Sequence, residues 1–213
     1  MKEGSIYTRW MGTISLSGEE KKCVVITSVT DTALKTVKIY WDAYIRRVLE
    51  LPPCKHLAGV EGVCIDTGIS FHARISLINE HIVCGTLDLH VRAFNMSHVP
   101  MSASEVNCHL LGILEGMALI HSYGFLHPGL SSNKILLTNQ GVCKLYDFCL
   151  SDNARNILEY KMSRKTLSLN QFPPEAIQRN DYSQKSDVWS TAVVIWEILS
   201  NGILNKKINK FLT

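Results

Sequence analysis

The spacing of apolar residues changes partway along this chain and divides it into two regions. Before about Val91 they come in short runs, Val24-Val25-Ile26, Val60 to Ile65 and Ile75 to Ile78, with Gly, Ser and Asp between them. Such runs bounded by turn residues predict β-strands. One helical stretch interrupts them between Ala33 and Leu51, where Val37, Trp41, Ile45 and Val48 recur near helical spacing. Pro52-Pro53 closes it, because proline cannot continue a helix.

After Pro100 the period becomes helical. Ser102 followed by Glu105 fits a capping box, and Val106, Leu110, Ile113, Met117 and Ile120 form one apolar stripe until Gly124 offers a stop. Lys134 to Leu137 and Gly141 to Tyr146 read as two short strands around a Thr-Asn-Gln-Gly turn. A long polar loop is expected from there to Asn170, of the length that usually serves a function. A buried helix then follows from Ser186 to Ser200, with Val188, Ala192, Ile195, Trp196 and Leu199 on one side and Gly202 as its stop.

Composition narrows the function classes more than it selects one. The 213 residues are 46% hydrophobic, enough to bury a core. The excess of 22 Lys and Arg over 19 Asp and Glu is slight and spread out, so no footprint for nucleic acid or anionic lipid is present. The seven cysteines, at 23, 54, 64, 84, 108, 143 and 149, lack Cys-x-x-Cys spacing and mostly sit in apolar runs. That pattern suits buried thiols in a reducing, intracellular compartment. Met-Lys-Glu-Gly-Ser has no apolar leader core, and Val188 to Leu199 is too short to span a bilayer and contains Glu197. His72, His81, His90, His98, His109 and His121 show no metal spacing and read as surface or satisfied core residues.

Four motifs occur in order: His127-Pro-Gly-Leu-Ser-Ser-Asn-Lys-Ile-Leu-Leu, Lys144-Leu-Tyr-Asp-Phe-Cys-Leu, Pro173-Pro-Glu and Tyr182-Ser-Gln-Lys-Ser-Asp-Val-Trp-Ser. Together they resemble the catalytic loop, Asp-Phe-Gly motif, Ala-Pro-Glu motif and following helix of protein kinases. Upstream, Glu80-His-Ile-Val-Cys-Gly-Thr-Leu is similar to the hinge, with Asn79 at the gatekeeper slot, and Val24-Val-Ile-Thr27 takes the place of Val-Ala-Ile-Lys. Gly4 to Gly12 resembles the later half of a Gly-rich loop. Lys-Ser-Asp-Val-Trp-Ser and Val-Ile-Trp-Glu-Ile-Leu favour the tyrosine-kinase branch. Lys21 to Gly68 looks somewhat like Ryk-type receptors, and Lys55-His-Leu and Pro-Pro-Glu like Janus-kinase pseudokinase domains.

The resemblance implies an α+β, bilobal kinase-like fold with a β-rich small lobe and a mainly helical large lobe, incomplete at both ends. It implies a partial small lobe over residues 1–79 with an αC-like helix at 33–51, a hinge at 80–85 and a partial large lobe over 86–213. Without the closing helices, the apolar side of Val188 to Leu199 is expected to be bare.

The same resemblance implies that the chemistry is degenerate. The phosphate-holding lysine slot is Thr27, and its glutamate partner falls at Tyr44; Lys22 or Lys35 is left open as a substitute. Pro128 and Gly129 replace the arginine and the catalytic aspartate, so no carboxylate orients a substrate hydroxyl. Lys134 takes the asparagine slot, which would repel a second magnesium ion. Asp147 remains as the magnesium-type aspartate, followed by Cys149 where glycine is usual and φ > 0 is expected. A Lys134–Asp147 ion pair is expected in place of the metal. A degenerate ATP pocket would use Gly4, Val25, Glu80, Ile82 and Leu136, crowded by Tyr7, Arg9 and Tyr146.

Asp187 is expected to hold the catalytic-loop backbone, and Trp189 to pack beneath that loop. Glu175 would lack its usual arginine partner, and Tyr160 would be a solvated loop residue, with an activation-loop phosphosite as the alternative. The reading is therefore a pseudokinase that acts as a scaffold or allosteric regulator, without a cofactor, though ATP and magnesium stay open. Its partner would be a protein, either an active kinase or a second copy, and its location cytoplasmic or the cytoplasmic part of a receptor. A weakly active kinase and a non-functional fragment are the alternatives.

Overall fold

The computed structural model describes residues 6–15, 20–30, 33, 35–66, 74–163 and 171–200; Gly4, His72, Asn170 and Gly202 lie outside them. The chain forms two compact units, one of residues 1–53 and 58–81 and the other of 54–57 and 82–213.

The first unit is an antiparallel sheet and one helix. Strands β1 (Tyr7–Ile14), β2 (Lys22–Val29), β3 (Val60–Asp66) and β4 (Arg74–Glu80) lie in the order β1-β2-β4-β3. The apolar runs mark β2, β3 and β4. They miss β1, whose mostly exposed or half-buried positions carry no alternation strong enough to read, and which forms by pairing with β2 along its whole length. Helix α1 (Lys35–Leu49) buries Val37, Trp41, Ile45 and Val48, the stripe its period predicts. Each such burial contributes roughly 1.5–3 kcal/mol. Trp41 also donates its indole N–H to the Ile75 carbonyl at 2.8 Å, which fastens α1 to β4.

The second unit is mainly helical. Its elements are α2 (Leu87–Ser97), α3 (Ala103–Ser122), β5 (Phe125–Leu126), β6 (Ile135–Leu137), β7 (Cys143–Leu145), β8 (Cys149–Leu150), α4 (Ala154–Ser163), α5 (Pro174–Arg179) and α6 (Gln184–Leu199). Strand β5 pairs with β8, and β6 with β7, all antiparallel. The core runs along α3, where Ile113, Met117 and Ile120 are buried. Gly112 and Gly116 let other groups approach this helix closely: a Cβ at Gly112 would meet the His56 ring at 2.6 Å, and one at Gly116 would meet Leu145 at 2.8 Å. The chain at His56 is tied to β7 by a bond from Leu145 N–H to the His56 carbonyl at 2.9 Å.

Ser102 caps α3 by accepting the Glu105 N–H at 3.2 Å. The carboxylate of Glu105 does not complete the box, because it turns to His90 at 2.8 Å.

Three expectations are corrected. The polar stretch after β8 is not all loop: residues 154–163 form α4 and bury Ile157, Leu158 and Tyr160, so Tyr160 is no solvated tyrosine. Helix α6 is buried on one side only: Ser186, Asp187, Ser190, Thr191, Val194, Glu197 and Ile198 face inward, while Val188, Trp196 and Leu199 form the expected bare apolar side. Small and polar residues form the inner side because it is hydrogen-bonded, with Ser190 donating to the Gln171 carbonyl at 2.9 Å. Of the cysteines, all free, only Cys143 and Cys149 are buried, because strand alternation turns Cys23 and Cys64 outward.

Candidate functional site

The second unit holds the loop that begins at His127. Asp187, fully buried in the first turn of α6, fixes its start: Oδ2 accepts the His127 backbone N–H at 2.9 Å and lies 2.8 Å from His121 Nε2. The Tyr182 hydroxyl donates to Asp187 Oδ1 at 2.6 Å. Burial first, and then the Asp187 charge, push the Tyr182 hydroxyl well above its ordinary pKa, which keeps it a donor. The expected role of Asp187 is therefore present.

His127 is also fully buried. Its Nε2 lies 2.8 Å from the Tyr146 carbonyl, so that nitrogen carries the proton and the ring is neutral. Burial, reinforced by the Lys161 charge, lowers its pKa from 6.5 to about 4. Gly129 takes φ 96°, in the region that favours glycine, as the loop turns toward Lys134.

Asp147 follows Tyr146 with φ 69°. Its carboxylate is only 5% exposed, and Oδ2 receives two ammonium groups: Lys134 Nζ at 3.1 Å and Lys161 Nζ at 3.7 Å. The ion pair expected from Lys134 is thus formed, and α4 adds a second. Lys161 also donates to the Pro128 carbonyl at 2.7 Å, linking α4 to the loop. Lys134 stands 5.8 Å from the Tyr146 ring centroid, within cation–π range.

This group of residues does not fit a magnesium ion. Magnesium requires oxygen ligands in a near-octahedral set. Here the one retained carboxylate faces two cations, and Lys134 has no acceptor to offer.

Cys149 corrects a further expectation. It is extended in β8 opposite Leu126, so the left-handed backbone belongs to Asp147 and not to the glycine slot. Burial pushes its thiol far above the usual range, which makes it an inert core group. Phe148 packs edge-on against Phe125, with ring centroids 5.3 Å apart. Trp189 is about half exposed and does not pack inward as expected. Glu175 accepts the Ser186 hydroxyl at 3.3 Å.

In the first unit, Thr27 is buried on β2 opposite Arg9 and Leu77. Tyr44 stacks on Trp41 at 5.4 Å, and Tyr7 approaches the same indole at 5.5 Å. An aromatic cluster thus stands at the residues where the resemblance implies an ion pair and an open phosphate loop. Lys22 is engaged with Glu61 at an exposed position and is no substitute lysine. Lys35 is exposed at the start of α1. Glu80 accepts the Gly59 N–H at 2.5 Å, and Val25 is half-buried opposite Asn79. In the second unit, Ile82 and Leu136 are half-buried, and Leu136 bridges to Thr86.

The sequence reading missed Lys161. A signal was there: Ala154, Ile157, Leu158 and Lys161 follow the i, i+3, i+4, i+7 spacing, which puts the lysine on the buried side of a helix. It also missed that His90 and His109, nineteen positions apart, come together against Glu105.

An antiparallel sheet region, a helical region and a histidine loop fastened by a buried aspartate and followed by Asp-Phe define a protein-kinase domain. The chain belongs to the protein tyrosine and serine/threonine kinase family, whose sequence model matches residues 3–209. It is 27% identical over 207 residues to Ephrin type-A receptor 1 of Mus musculus, covering 94% of this chain and 20% of that receptor. It is 31% identical over 140 residues to the megakaryocyte-associated tyrosine-protein kinase of Mus musculus, covering 63% of this chain and 26% of that protein. With Ephrin type-A receptor 7 of Gallus gallus it shares 28% identity over 182 residues, covering 80% of this chain and 17% of the receptor. The chain therefore spans about a fifth of the Ephrin receptors it matches. Among the described residues, no helix is long and apolar enough to cross a membrane.

Proposed function

We propose that this tyrosine-kinase-like domain is a pseudokinase that works by binding a protein and regulating it, without transferring phosphate. The observation that carries this reading is the Asp147 carboxylate held by Lys134 and Lys161. Phosphoryl transfer depends on metal ions and cations arranged around the phosphates. Here the cations lie on the carboxylate itself, and the slots at Thr27, Tyr44 and Gly129 supply no lysine, glutamate or base.

We assign residues 1–79, 80–85 and 86–213 to the small lobe, hinge and large lobe, and Gly4, Val25, Glu80, Ile82 and Leu136 to a degenerate nucleotide pocket. The finer placement near Ryk-type receptors or Janus-kinase pseudokinase domains belongs to the same proposal. So do a location in the cytoplasm, or in the cytoplasmic part of a receptor, and a partner that is an active kinase or a second copy.

The test is a pair of measurements on the full chain. With radiolabelled ATP and either magnesium or manganese, autophosphorylation stays at background; incorporation above background establishes the rival reading, a weakly active kinase. Mg-ATP leaves the melting temperature unchanged, since a ligand that binds only the native state must raise it.

A further inference from the structure

Away from Asp147, helices α2 and α3 bring together three side chains with metal-ligating chemistry. His90 stands in the first turn of α2, Glu105 in the first turn of α3, and His109 one turn further along the same face. One ligating atom from each lies within 4.8 Å of the others. His90 Nε2 is 2.8 Å from Glu105 Oε1, and His109 Nε2 is 3.9 Å from the same oxygen. The two imidazoles stand edge to face with centroids 5.6 Å apart.

His109 gives the second observation. Its side chain is 1% exposed, and its Nε2, aimed at this cluster, makes no hydrogen bond among the described residues. A buried polar atom without a partner costs about 1–3 kcal/mol and calls for an explanation. The other ring nitrogen, Nδ1, is 3.4 Å from Cys143 Sγ. If Nδ1 carries the proton and gives it to sulfur, the lone pair of Nε2 points into the cluster, the tautomer in which a second contact orients a ligating histidine. Burial keeps the ring neutral by lowering its pKa.

Two imidazoles and a carboxylate are the donor set of zinc-class ions; magnesium and calcium prefer all-oxygen sites. Bond lengths near 2.1 Å place tetrahedral ligand atoms roughly 3.4 Å apart. The observed 2.8 and 3.9 Å lie on either side of that value, and the two ring nitrogens lie within 4.8 Å of each other, so side-chain torsions have to draw the imidazoles together around an ion. His90 and Glu105 are each about a third exposed, which leaves a way in and room for water as the fourth ligand.

We propose that His90, Glu105 and His109 form a binding site for one zinc-class divalent ion, which clamps α2 to α3. The ion joins two elements that meet here through the His90–Glu105 contact and the edge-to-face His90 and His109 rings. The site stands whether or not the domain transfers phosphate, and its test reads no kinase activity.

The experiment titrates the full reduced chain with Co2+ and follows the visible d–d bands, then displaces the cobalt with Zn2+ and records the melting temperature. The expected result is one Co2+ per chain with a nitrogen and oxygen ligand spectrum, and a higher melting temperature with zinc. His90→Ala and Glu105→Gln, both at partly exposed positions that tolerate change, weaken cobalt binding roughly tenfold or more. The proposal is overturned if the wild-type chain shows no d–d bands, if a thiolate charge-transfer band shows that cysteines hold the ion, or if both variants bind like wild type.

Discussion

Lys134 Nζ lies 3.1 Å from Asp147 Oδ2, so the residue in the asparagine slot neutralises the aspartate beside which a kinase would place metal. A carboxylate this deeply buried needs a cation, whether an ion or an ammonium group. Lys161 contributes a second at 3.7 Å.

Removing the first lysine tests this substitution. Breaking a buried pair costs several kcal/mol, but Lys134 is 29% exposed and Lys161 remains. Lys134→Ala therefore lowers the unfolding free energy by about 1–3 kcal/mol in magnesium-free buffer, and added magnesium recovers part of the loss. Lys161→Met weakens the domain alike and raises hydrogen exchange in α4. Urea unfolding with and without magnesium reads both; an unchanged midpoint under every condition removes the substitution from consideration.

Acid reports on His127. Its pKa is 6.5 in the unfolded chain and about 4 in the fold, so below 6.5 the unfolded state binds the extra proton. This contribution is present in full above 6.5 and lost as pH falls toward 4, to a limit of about 3 kcal/mol. Urea midpoints measured between pH 7 and 4 should fall, and His127→Gln should flatten that slope.

Gly116→Ala sets two effects against each other. Alanine is favoured over glycine in a helix by about 1 kcal/mol. The added Cβ, however, would lie 2.8 Å from Leu145 Cδ1 and 3.1 Å from the His56 carbonyl oxygen, which belongs to backbone and cannot swing away. Overpacking costs about 1–3 kcal/mol, so the variant is less stable than wild type. A higher melting temperature would mean that propensity wins.

Much of the fold follows from spacing along the chain. The stripe of Val37, Trp41, Ile45 and Val48 defines α1, and Ser102 caps α3, because both depend on residues within a few turns of one another. The ordered motifs from His127 to Ser190 identify the family for the same reason. Strand β1 was not legible, since its partner β2, not its own residues, makes it a strand.

The same division runs through the candidate site. Which residues stand in the slots of Thr27, Tyr44, Gly129, Lys134 and Asp147 is a matter of sequence alone. That Lys161 reaches Asp147 fourteen residues away, that α6 turns its serines inward, and that His90 meets His109 against Glu105 were decided only by tertiary structure. Periodicity says that a helix has two sides. Which side is buried, and which charges meet across elements, depends on what the folded chain packs against it.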